Sequence, residues 1–319
     1  MKLFTILYCL LFTTVSSILS PKLSIEGNKF LLDNQYINFN TPAEGILINS
    51  LMAQGISDDV KHWDASINNN EFVSNMSVWK SYGLNAFTIG LQGGAPEKCK
   101  NSAFTSDGSL KDEYMNRLKL ILDEACKLKM IVIVSLFYKT QVNIFKGYPQ
   151  VLDATLNVIH WLQKGNYTNI IIEPVNECEY SEFKKVGLGC HQHITDLIEL
   201  VQIFKFPAGS SYKVNNVPSE KIVNASEVIL LHGNDFKKQL DAVKNLSTYR
   251  GQPIVYNKAT TDYKQLIWCV QNEIGFGYYD ESGFQIQPIN WSVNNTKSKR
   301  DFFDETKRLT TPQYKPKLS

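Results

Sequence analysis

The sequence lacks an excess of charge of either sign, and its interior lacks a long apolar run or an internal repeat. Lysine and arginine together number 33 against 31 acidic residues, which gives a net charge of +2. Proteins that bind nucleic acids through phosphates need a clear basic excess, so this composition argues against that class. Beyond the first residues there is no uncharged apolar stretch of about 18 residues, so we expect no membrane-spanning helix in the mature chain.

The N-terminus has the pattern of a secretory signal peptide. Met1 and Lys2 give a positive start, and a mostly apolar stretch follows from Leu3 to Phe12. That stretch is shorter than the roughly 20 residues that a membrane helix needs, although an uncleaved anchor remains the alternative. We therefore expect residues 1–17 to be removed, with cleavage between 17 and 20. Residues 18–319 would then form a single secreted domain.

The glycosylation sequons and the cysteines are also consistent with secretion. The sequence has six Asn-x-Ser/Thr sequons, at Asn75, Asn166, Asn224, Asn245, Asn290 and Asn294. Of six cysteines, Cys9 lies in the predicted leader, so five remain and at least one lacks a partner within the chain. Cys99 and Cys190 lie in loop-like sequence and are a candidate disulfide pair. Cys126 and Cys269 lie on apolar helix faces, where we expect buried free thiols.

Short apolar segments alternate with amphipathic helices along most of the chain. Residues 23–32 predict a hairpin with Gly27 and Asn28 at its turn. The strand candidates that follow are Ile37 to Phe39, Asn85 to Leu91, Ile131 to Phe137, Ile170 to Val175, Phe206 to Ser211, Val228 to His232, Pro253 to Asn257 and Ile274 to Tyr279. The helix candidates are Lys111 to Lys127, Pro149 to Leu162, Thr195 to Phe204, Asp235 to Asn245 and Tyr263 to Asn272.

This alternation predicts an α/β fold, a (β/α)8 TIM barrel with an N-terminal β-hairpin cap. Several of the strands are almost wholly apolar, which is typical of a parallel sheet that is buried on both faces. An open doubly wound sheet is the alternative. It is disfavoured because no Gly-x-Gly-x-x-Gly follows the first strand.

In such a barrel, functional residues lie at the C-terminal ends of the strands. This rule nominates Asn40, Glu44, Gln92, Phe137, Tyr138, Asn176, Glu177, Ser211, Tyr212, His232, Asn234, Asn257, Lys258, Tyr278, Tyr279 and Trp291. Sugars suit a lining rich in amides and aromatic rings, because amides bond hydroxyls and rings stack on pyranose faces. Other polar substrates would suit it too.

The pair Asn176 and Glu177, which closes a buried strand, is the most informative of these positions. Apolar neighbours raise the pKa of a glutamate toward neutrality, as a general acid requires. The adjacent asparagine can bond a sugar 2-hydroxyl, an interaction that strengthens in the transition state of glycoside hydrolysis. The alternative is a strand end with two solvated polar residues.

Segments spread over most of the chain resemble clan A glycoside hydrolases near the cellulase-like family 5, and more closely a group of uncharacterised cellulase-like barrels. The segments are residues 42–45, 86–94, 101–110, 176–178, 230–234, 253–257 and 288–291. This resemblance implies a (β/α)8 barrel and a retaining mechanism with two glutamates. Glu177 would be the acid/base and Asn176 its companion, and the nucleophile position would be residue 258.

The chain has Lys258 where the resemblance implies the nucleophilic glutamate. A retaining enzyme needs a carboxylate about 5–5.5 Å from the acid, and a lysine would instead repel the developing positive charge. Lys258 is also expected to pair with Glu177 and lower the pKa of that carboxyl by about 1–3 units. Asp262 and Asp235 are candidate bases for an inverting route.

We therefore expect a secreted glycoside-hydrolase-like glycoprotein, a degenerate or very weak retaining β-glycosidase that still binds a β-linked glycan. The expected substrate-binding residues are Asn176, His232, Asn234, Gln92, Tyr138, Tyr212, Asn257 and Trp291. Trp291 would form a stacking platform beside the cleft, and a glycan on the neighbouring Asn290 would crowd it.

The sequence also bears on metals, cofactors and macromolecular partners. The histidines lack zinc-ligand spacing and no Cys-x-x-Cys occurs, so we expect no metal and no cofactor. We also expect a monomer that binds no nucleic acid and, after leader cleavage, no membrane. Two alternatives stay open: an active O-glycosyl hydrolase that combines Glu177 with a non-standard second carboxylate, and a secreted surface-interaction protein with no role in sugar binding.

Overall fold

The computed structural model describes residues 19–58, 63–93, 101–190 and 193–312. The predicted signal peptide and Cys99 lie outside these residues. The chain begins with the predicted hairpin, in which β1 (Leu23–Glu26) pairs antiparallel with β2 (Lys29–Leu32). Gly27 supplies the left-handed turn with a φ of 59°, and β3 (Gln35–Tyr36) adds a third short strand.

Seven parallel strands form most of a barrel. They are β4 (Ile48–Ser50), β5 (Ala86–Gly90), β6 (Ile131–Phe137), β7 (Ile170–Val175), β8 (Ile229–His232), β9 (Ile254–Lys258) and β10 (Gly275–Tyr278). They pair in the orders β5-β6-β7 and β4-β10-β9-β8.

Two contacts close these sheets into one barrel. A parallel bridge joins Leu51 to Thr88 and connects β4 to β5. On the other side, Ala208 bridges Ile172 and its carbonyl accepts the Val228 N–H at 3.3 Å. The segment around Ala208 therefore takes the place of the predicted fifth strand. The predicted (β/α)8 barrel is confirmed, and the open-sheet alternative is wrong.

The first barrel strand is β4 and not the predicted segment at residues 37–39. Asn38 and Asn40 have positive φ values of 53° and 60°, so the chain turns there instead of extending. As a consequence, Asn40 and Glu44 lie at the hairpin end of the barrel, where the Glu44 carboxylate accepts the Asn40 N–H at 2.8 Å. Their assignment to the functional end of the barrel was wrong.

Helices cover the outside of the barrel. They are α1 (Ala65–Ser81), α2 (Asp112–Lys127), α3 (Tyr148–Lys164), α4 (Ser181–Lys185), α5 (Ile194–Ile203), α6 (Glu220–Ala225), α7 (Phe236–Lys244), α8 (Tyr263–Gln271) and α9 (Lys297–Thr310). Five of them match predicted helices to within a few residues. The apolar pattern did not reveal α1, α4, α6 and α9. The helices α4 and α6 are only five and six residues long, and polar side chains occupy part of the buried faces of α1 and α9.

Helix α1 shows how buried polar side chains hide a helix from the apolar pattern. Asp64 begins the helix by accepting the Ile67 N–H at 2.8 Å. Asn68 and Asn69 are buried, and each donates its side-chain amide at 3.0 Å to a backbone carbonyl of the segment that follows β4. Satisfied buried amides are stable but interrupt the apolar periodicity on which sequence-based helix prediction depends.

The hairpin closes the N-terminal end of the barrel. Phe30 and Leu32 pack in one apolar cluster with barrel residues that include Ile133, Ile171 and Val255. This packing leaves the opposite, C-terminal end as the place for a cleft. Within the described ranges, no helix combines the length and apolarity needed to cross a bilayer.

A disulfide joins Cys178 to Cys190, with their Cα atoms 5.3 Å apart. The predicted pairing of Cys190 with Cys99 was wrong, because the chain doubles back after β7 through α4 and a left-handed Gly187. Cys126 and Cys269 are buried free thiols as predicted, and burial raises the pKa of each.

Candidate functional site

Three charged or titratable side chains meet at the C-terminal ends of β7, β8 and β9. The Oε1 atom of Glu177 lies 2.9 Å from the Nζ of Lys258 and 2.9 Å from the Nδ1 of His232. Glu177 and His232 are buried, and the Lys258 side chain is 17% exposed. The expected pairing of Glu177 with Lys258 is confirmed, and the histidine completes a three-residue cluster.

Local backbone structure presents the Glu177 carboxyl to this cluster. Glu177 has a φ of 55°, the left-handed region that few non-glycine residues adopt. Its N–H donates to the Ser211 hydroxyl at 3.1 Å, and the next N–H, of Cys178, donates to the Ser211 carbonyl at 3.2 Å. The disulfide at Cys178 ties the same turn to the loop before α5. The conformation of Glu177 is therefore held from both sides.

The electrostatics of the cluster keep Glu177 ionised. Burial alone would raise the pKa of its carboxyl, but the His232 hydrogen bond and the charges of His232 and Lys258 outweigh burial and lower the pKa to about 2. An ionised carboxylate only accepts hydrogen bonds, so the Nδ1 of His232 carries a proton. The Nε2 of His232 is buried and makes no hydrogen bond to the described residues.

A second buried carboxylate, Glu173, lies four residues earlier, within β7. It accepts the Ser211 hydroxyl at 2.6 Å and the side-chain amides of Asn257 and Asn176, each at 3.4 Å. Ser211 therefore links the two glutamates, because its hydroxyl donates to Glu173 and accepts from the Glu177 backbone. The partners that the structure gives Glu173 are neutral donors.

A cavity of about 90 Å³ opens beside the cluster. Its described lining consists of Leu51, Ala53, Thr88, Gly90, Gln92, Ser135, Tyr138, Asn176, Lys258, Tyr279, Glu281 and Gln285. Pockets that bury a drug-sized ligand are typically about 300–1,000 Å³, so this one holds a few water molecules and not an enclosed sugar. The Lys258 side chain takes part of the space, and its Nζ lies 5.0 Å from the centre of the Tyr279 ring.

Four of the predicted binding or catalytic residues line this cavity: Gln92, Tyr138, Asn176 and Lys258. Gln92 is buried, and both ends of its amide are already bonded. It donates to the Ser102 hydroxyl and the Gln141 carbonyl at 3.3 Å each, and accepts the Tyr138 N–H at 2.9 Å. Gln92 therefore links the strand ends, and its amide is already engaged in hydrogen bonds within the protein.

His232 and Asn257 lie behind the cavity wall. Asn257 is fully buried and reaches Glu173, while His232 reaches Glu177. Both act on the cavity through the glutamates that they contact. They do not belong to its described lining.

Three predicted binding residues lie elsewhere. The expectation for Trp291 was wrong: it is 1% exposed, packs on Phe72 and donates its indole N–H to Asn68 at 2.9 Å. Tyr212 is buried and its hydroxyl donates to Ser219 at 3.2 Å. Asn234 is exposed outside the cavity lining.

The expectation that a glycan on Asn290 would crowd the cleft was also wrong. Asn290 is exposed and lies with Glu71 and Asn75 along a separate shallow depression. The loop that carries it packs its apolar side chains against α1, as the Trp291 contact with Phe72 shows. Its glycosylation would therefore leave the cavity unobstructed.

The alternative carboxylates do not reach the cavity. Asp262 is exposed and accepts the Lys264 N–H at 2.9 Å, so it serves as the N-cap of α8. Asp235 is exposed at the start of α7. Glu281 lines the cavity and was not predicted, although its position three residues after β10 is consistent with the strand-end rule. Among the described residues, no group of three His, Cys, Asp or Glu side chains has the arrangement of a metal site.

The fold resembles that of β-mannanases and of a glycoside hydrolase family 5 enzyme. A β-mannanase from the blue mussel Mytilus edulis is 12% identical with a TM-score of 0.56, over 90% of this chain and 96% of that one. A β-mannanase from Streptomyces thermolilacinus, solved with mannohexaose, is 9% identical with a TM-score of 0.57, over 91% and 95%. A glycoside hydrolase family 5 enzyme from Prevotella bryantii is 8% identical with a TM-score of 0.55, over 87% and 99%.

No protein-family model and no curated protein sequence matches the chain. At such low sequence identities, the structural likeness concerns the fold. The chain therefore has the (β/α)8 fold of clan A, cellulase-like glycoside hydrolases, with the Glu177, Lys258 and His232 cluster at the end of the barrel where such folds carry their active sites.

Proposed function

We propose that this chain is a secreted, glycoside-hydrolase-like protein that binds β-linked glycans and has lost all or nearly all hydrolytic activity. The observation that carries this proposal is the contact of both Lys258 and His232 with one carboxylate oxygen of Glu177, at 2.9 Å each. A general acid must hold a proton at the working pH. With a pKa of about 2, roughly one Glu177 carboxyl in 10⁵ is protonated at pH 7.

Lys258 also removes the second requirement of the retaining mechanism. That mechanism needs a carboxylate about 5–5.5 Å from the acid to trap an oxocarbenium-like centre. At this position the cavity offers an ammonium group, which repels developing positive charge. Glu281 is a further carboxylate in the described lining, but it is exposed to solvent. A solvent-exposed carboxylate has no packed neighbours to hold it at the fixed spacing that a retaining pair requires.

Glycan binding is supported by the remaining lining of the cavity. Tyr138 and Tyr279 provide aromatic rings, and Asn176 provides an amide in the same lining. Rings stack on sugar faces and amides bond hydroxyls, so this lining suits the edge of a β-linked glycan. Because the cavity measures only about 90 Å³, the sugar would contact its rim and would not be enclosed. The similar β-mannanase from Streptomyces thermolilacinus was solved with mannohexaose, which makes that oligosaccharide a suitable first probe.

Hydrolysis is tested with aryl β-glycosides and β-mannan on the wild-type protein and on Glu177→Gln. We expect the two proteins to give the same background rate, because the Glu177 carboxyl holds no proton to donate. Wild-type turnover clearly above that of Glu177→Gln would overturn the proposal. Glu281→Gln is the matched control for a carboxylate that lines the cavity without joining the cluster.

The variant Lys258→Glu tests whether the cleft geometry has survived. A glutamate ends about one bond short of a lysine Nζ, so its carboxylate would lie roughly 1.5 Å further from Glu177 than the present 2.9 Å contact. That separation approaches the spacing of a retaining pair. We expect Lys258→Glu to give weak hydrolysis, because the new like charge raises the pKa of the Glu177 carboxyl, and we expect the added change Glu177→Gln to abolish it. If a folded Lys258→Glu protein gives no hydrolysis, the cleft does not hold the two carboxylates in a catalytic arrangement.

Binding is tested by calorimetry with mannohexaose and by a glycan array. We expect Tyr138→Ala to weaken binding about tenfold or more, since loss of a stacking ring removes roughly 1–2 kcal/mol. Tyr36→Ala is the matched control, because Tyr36 is a half-buried tyrosine on the hairpin at the other end of the barrel. A folded protein with no hits on the array would favour a surface-interaction role without sugar.

A further inference from the structure

Three of the six sequons lie at one end of the barrel. Asn166 lies between α3 and β7, Asn224 lies in α6 just before β8, and Asn245 lies between α7 and β9. Segments that lead from a helix into the next strand lie at the N-terminal end of a (β/α)8 barrel, opposite the catalytic end. The three asparagines therefore belong to the end that the hairpin closes.

The side chains of these three asparagines are accessible. All three are exposed, and their Nδ2 atoms make no hydrogen bond to the described residues. Within the same ranges, the side chain of Asn224 is bonded through Oδ1, which accepts from Arg250 at 3.3 Å. Asn75 differs, because it is half-buried within α1 and its Nδ2 donates to the Glu71 carbonyl at 2.8 Å.

We propose that Asn166, Asn224 and Asn245 carry N-linked oligosaccharides that cover the N-terminal end of the barrel. In the transfer, the Asn amide nitrogen loses a proton and bonds C1 of the sugar. The bond from C1 to the pyrophosphate oxygen of a lipid-linked oligosaccharide donor breaks, and the lipid pyrophosphate leaves. The inference goes beyond the proposed glycan binding and requires only that the chain enters the secretory route, as its predicted leader implies.

This placement has a consequence for partners. Oligosaccharides at three positions around one end would keep macromolecules from docking there, because each is bulky and hydrated. The cavity lies at the other end of the barrel, so its ligands would remain unaffected. Enzymatic removal of the oligosaccharides should therefore leave mannohexaose binding unchanged.

The modification is tested on the full chain expressed in eukaryotic cells, taken from both medium and cell lysate. The protein is treated with a peptide-N-glycosidase in water enriched in oxygen-18, which converts each glycosylated Asn to a heavy Asp. Peptide mass spectrometry should find heavy Asp at two or three of the positions 166, 224 and 245. Unmodified Asn at two or three of them, in both fractions, would overturn the proposal.

Single variants provide a second readout that does not depend on digestion. At least two of the variants Asn166→Gln, Asn224→Gln and Asn245→Gln should each increase the gel mobility of the protein by the mass of one oligosaccharide. Asn70→Gln is the matched control, because Asn70 is exposed on α1 but lies outside any sequon. Mobility that is unchanged in two or three of these variants would contradict the proposal.

Discussion

Glu173 and Glu177 are two buried carboxylates four residues apart in sequence, and their surroundings differ completely. Glu173 accepts hydrogen bonds from three neutral donors, on Ser211, Asn257 and Asn176. Glu177 instead contacts the Lys258 ammonium and the His232 ring. One carboxylate therefore holds strand ends together through hydrogen bonds, and the other is held ionised mainly by a histidine hydrogen bond and by charge.

This contrast separates a structural carboxylate from one that belongs to the site. Glu173 is fully buried and absent from the described cavity lining. It serves as the hydrogen-bond acceptor for the buried donors around it. Glu177 lies beside the cavity, and one of its partners, Lys258, lines it. Neither glutamate has the apolar surroundings of a general acid, because polar donors contact Glu173 and Lys258 and His232 contact Glu177. Substitutions of each carboxylate and of its partners test whether Glu173 is structural and Glu177 belongs to the site.

Glu173→Leu should lower the free energy of unfolding most, by about 3–5 kcal/mol, because it leaves three buried donors without their acceptor. Urea denaturation at pH 7 measures this loss. Glu177→Leu is the matched comparison and should cost less, because Lys258 can turn toward solvent and only the buried His232 N–H is left without its acceptor. A larger loss for Glu177→Leu than for Glu173→Leu would reverse the assignment of roles.

Acid should remove the stabilisation that comes from Glu177. Its folded pKa of about 2 lies below its ordinary value of 4.5. A depressed carboxyl pKa contributes stability that is present above pH 4.5 and is lost as pH falls through the folded pKa. The loss amounts to roughly 3 kcal/mol between those limits. Denaturation curves between about pH 5 and about pH 2 should show this loss in the wild type and not in Glu177→Gln; equal slopes would refute the linkage.

Lys258→Met should raise the pKa of Glu177 only part of the way toward its ordinary value, because the His232 hydrogen bond remains. Removing one of two partners should lower the free energy of unfolding by about 1–2 kcal/mol at pH 7. Lys237→Met is the matched control, since that exposed lysine pairs with Asp241 on the surface of α7 and should change nothing measurable. Equal effects of the two variants would show that the buried cluster behaves like a surface pair.

Asp262→Asn should have a smaller effect than any of these changes. Asn is as good an N-cap as Asp, so α8 should keep its stability. In the Lys258→Glu background, Asp262→Asn should leave the expected hydrolysis unchanged while Glu177→Gln removes it. Loss of that hydrolysis through Asp262→Asn would make Asp262 part of the reaction.

The sequence was sufficient for the fold and for the core of the site. Apolar strands and strand-end positions predicted the barrel, and the resemblance to clan A glycoside hydrolases placed Lys258 at the nucleophile position, from which its pairing with Glu177 was expected. Two kinds of feature escaped prediction. The Cys178 disulfide depends on how a loop doubles back, and Trp291 lies in the core because its loop folds onto α1 and not over the cleft. Both depend on tertiary packing that local pattern does not encode.

The pKa of Glu177 itself distinguishes an ion-paired carboxylate from a working general acid. Carbon-13 NMR of glutamate side-chain carboxyls, followed from about pH 7 to about pH 2, can assign this group by its absence in Glu177→Gln. The ion-paired cluster predicts a carboxyl that remains ionised through the acid range and titrates only at about 2. A Glu177 pKa near about 6, as in a general acid with apolar neighbours, would contradict the proposed loss of hydrolysis.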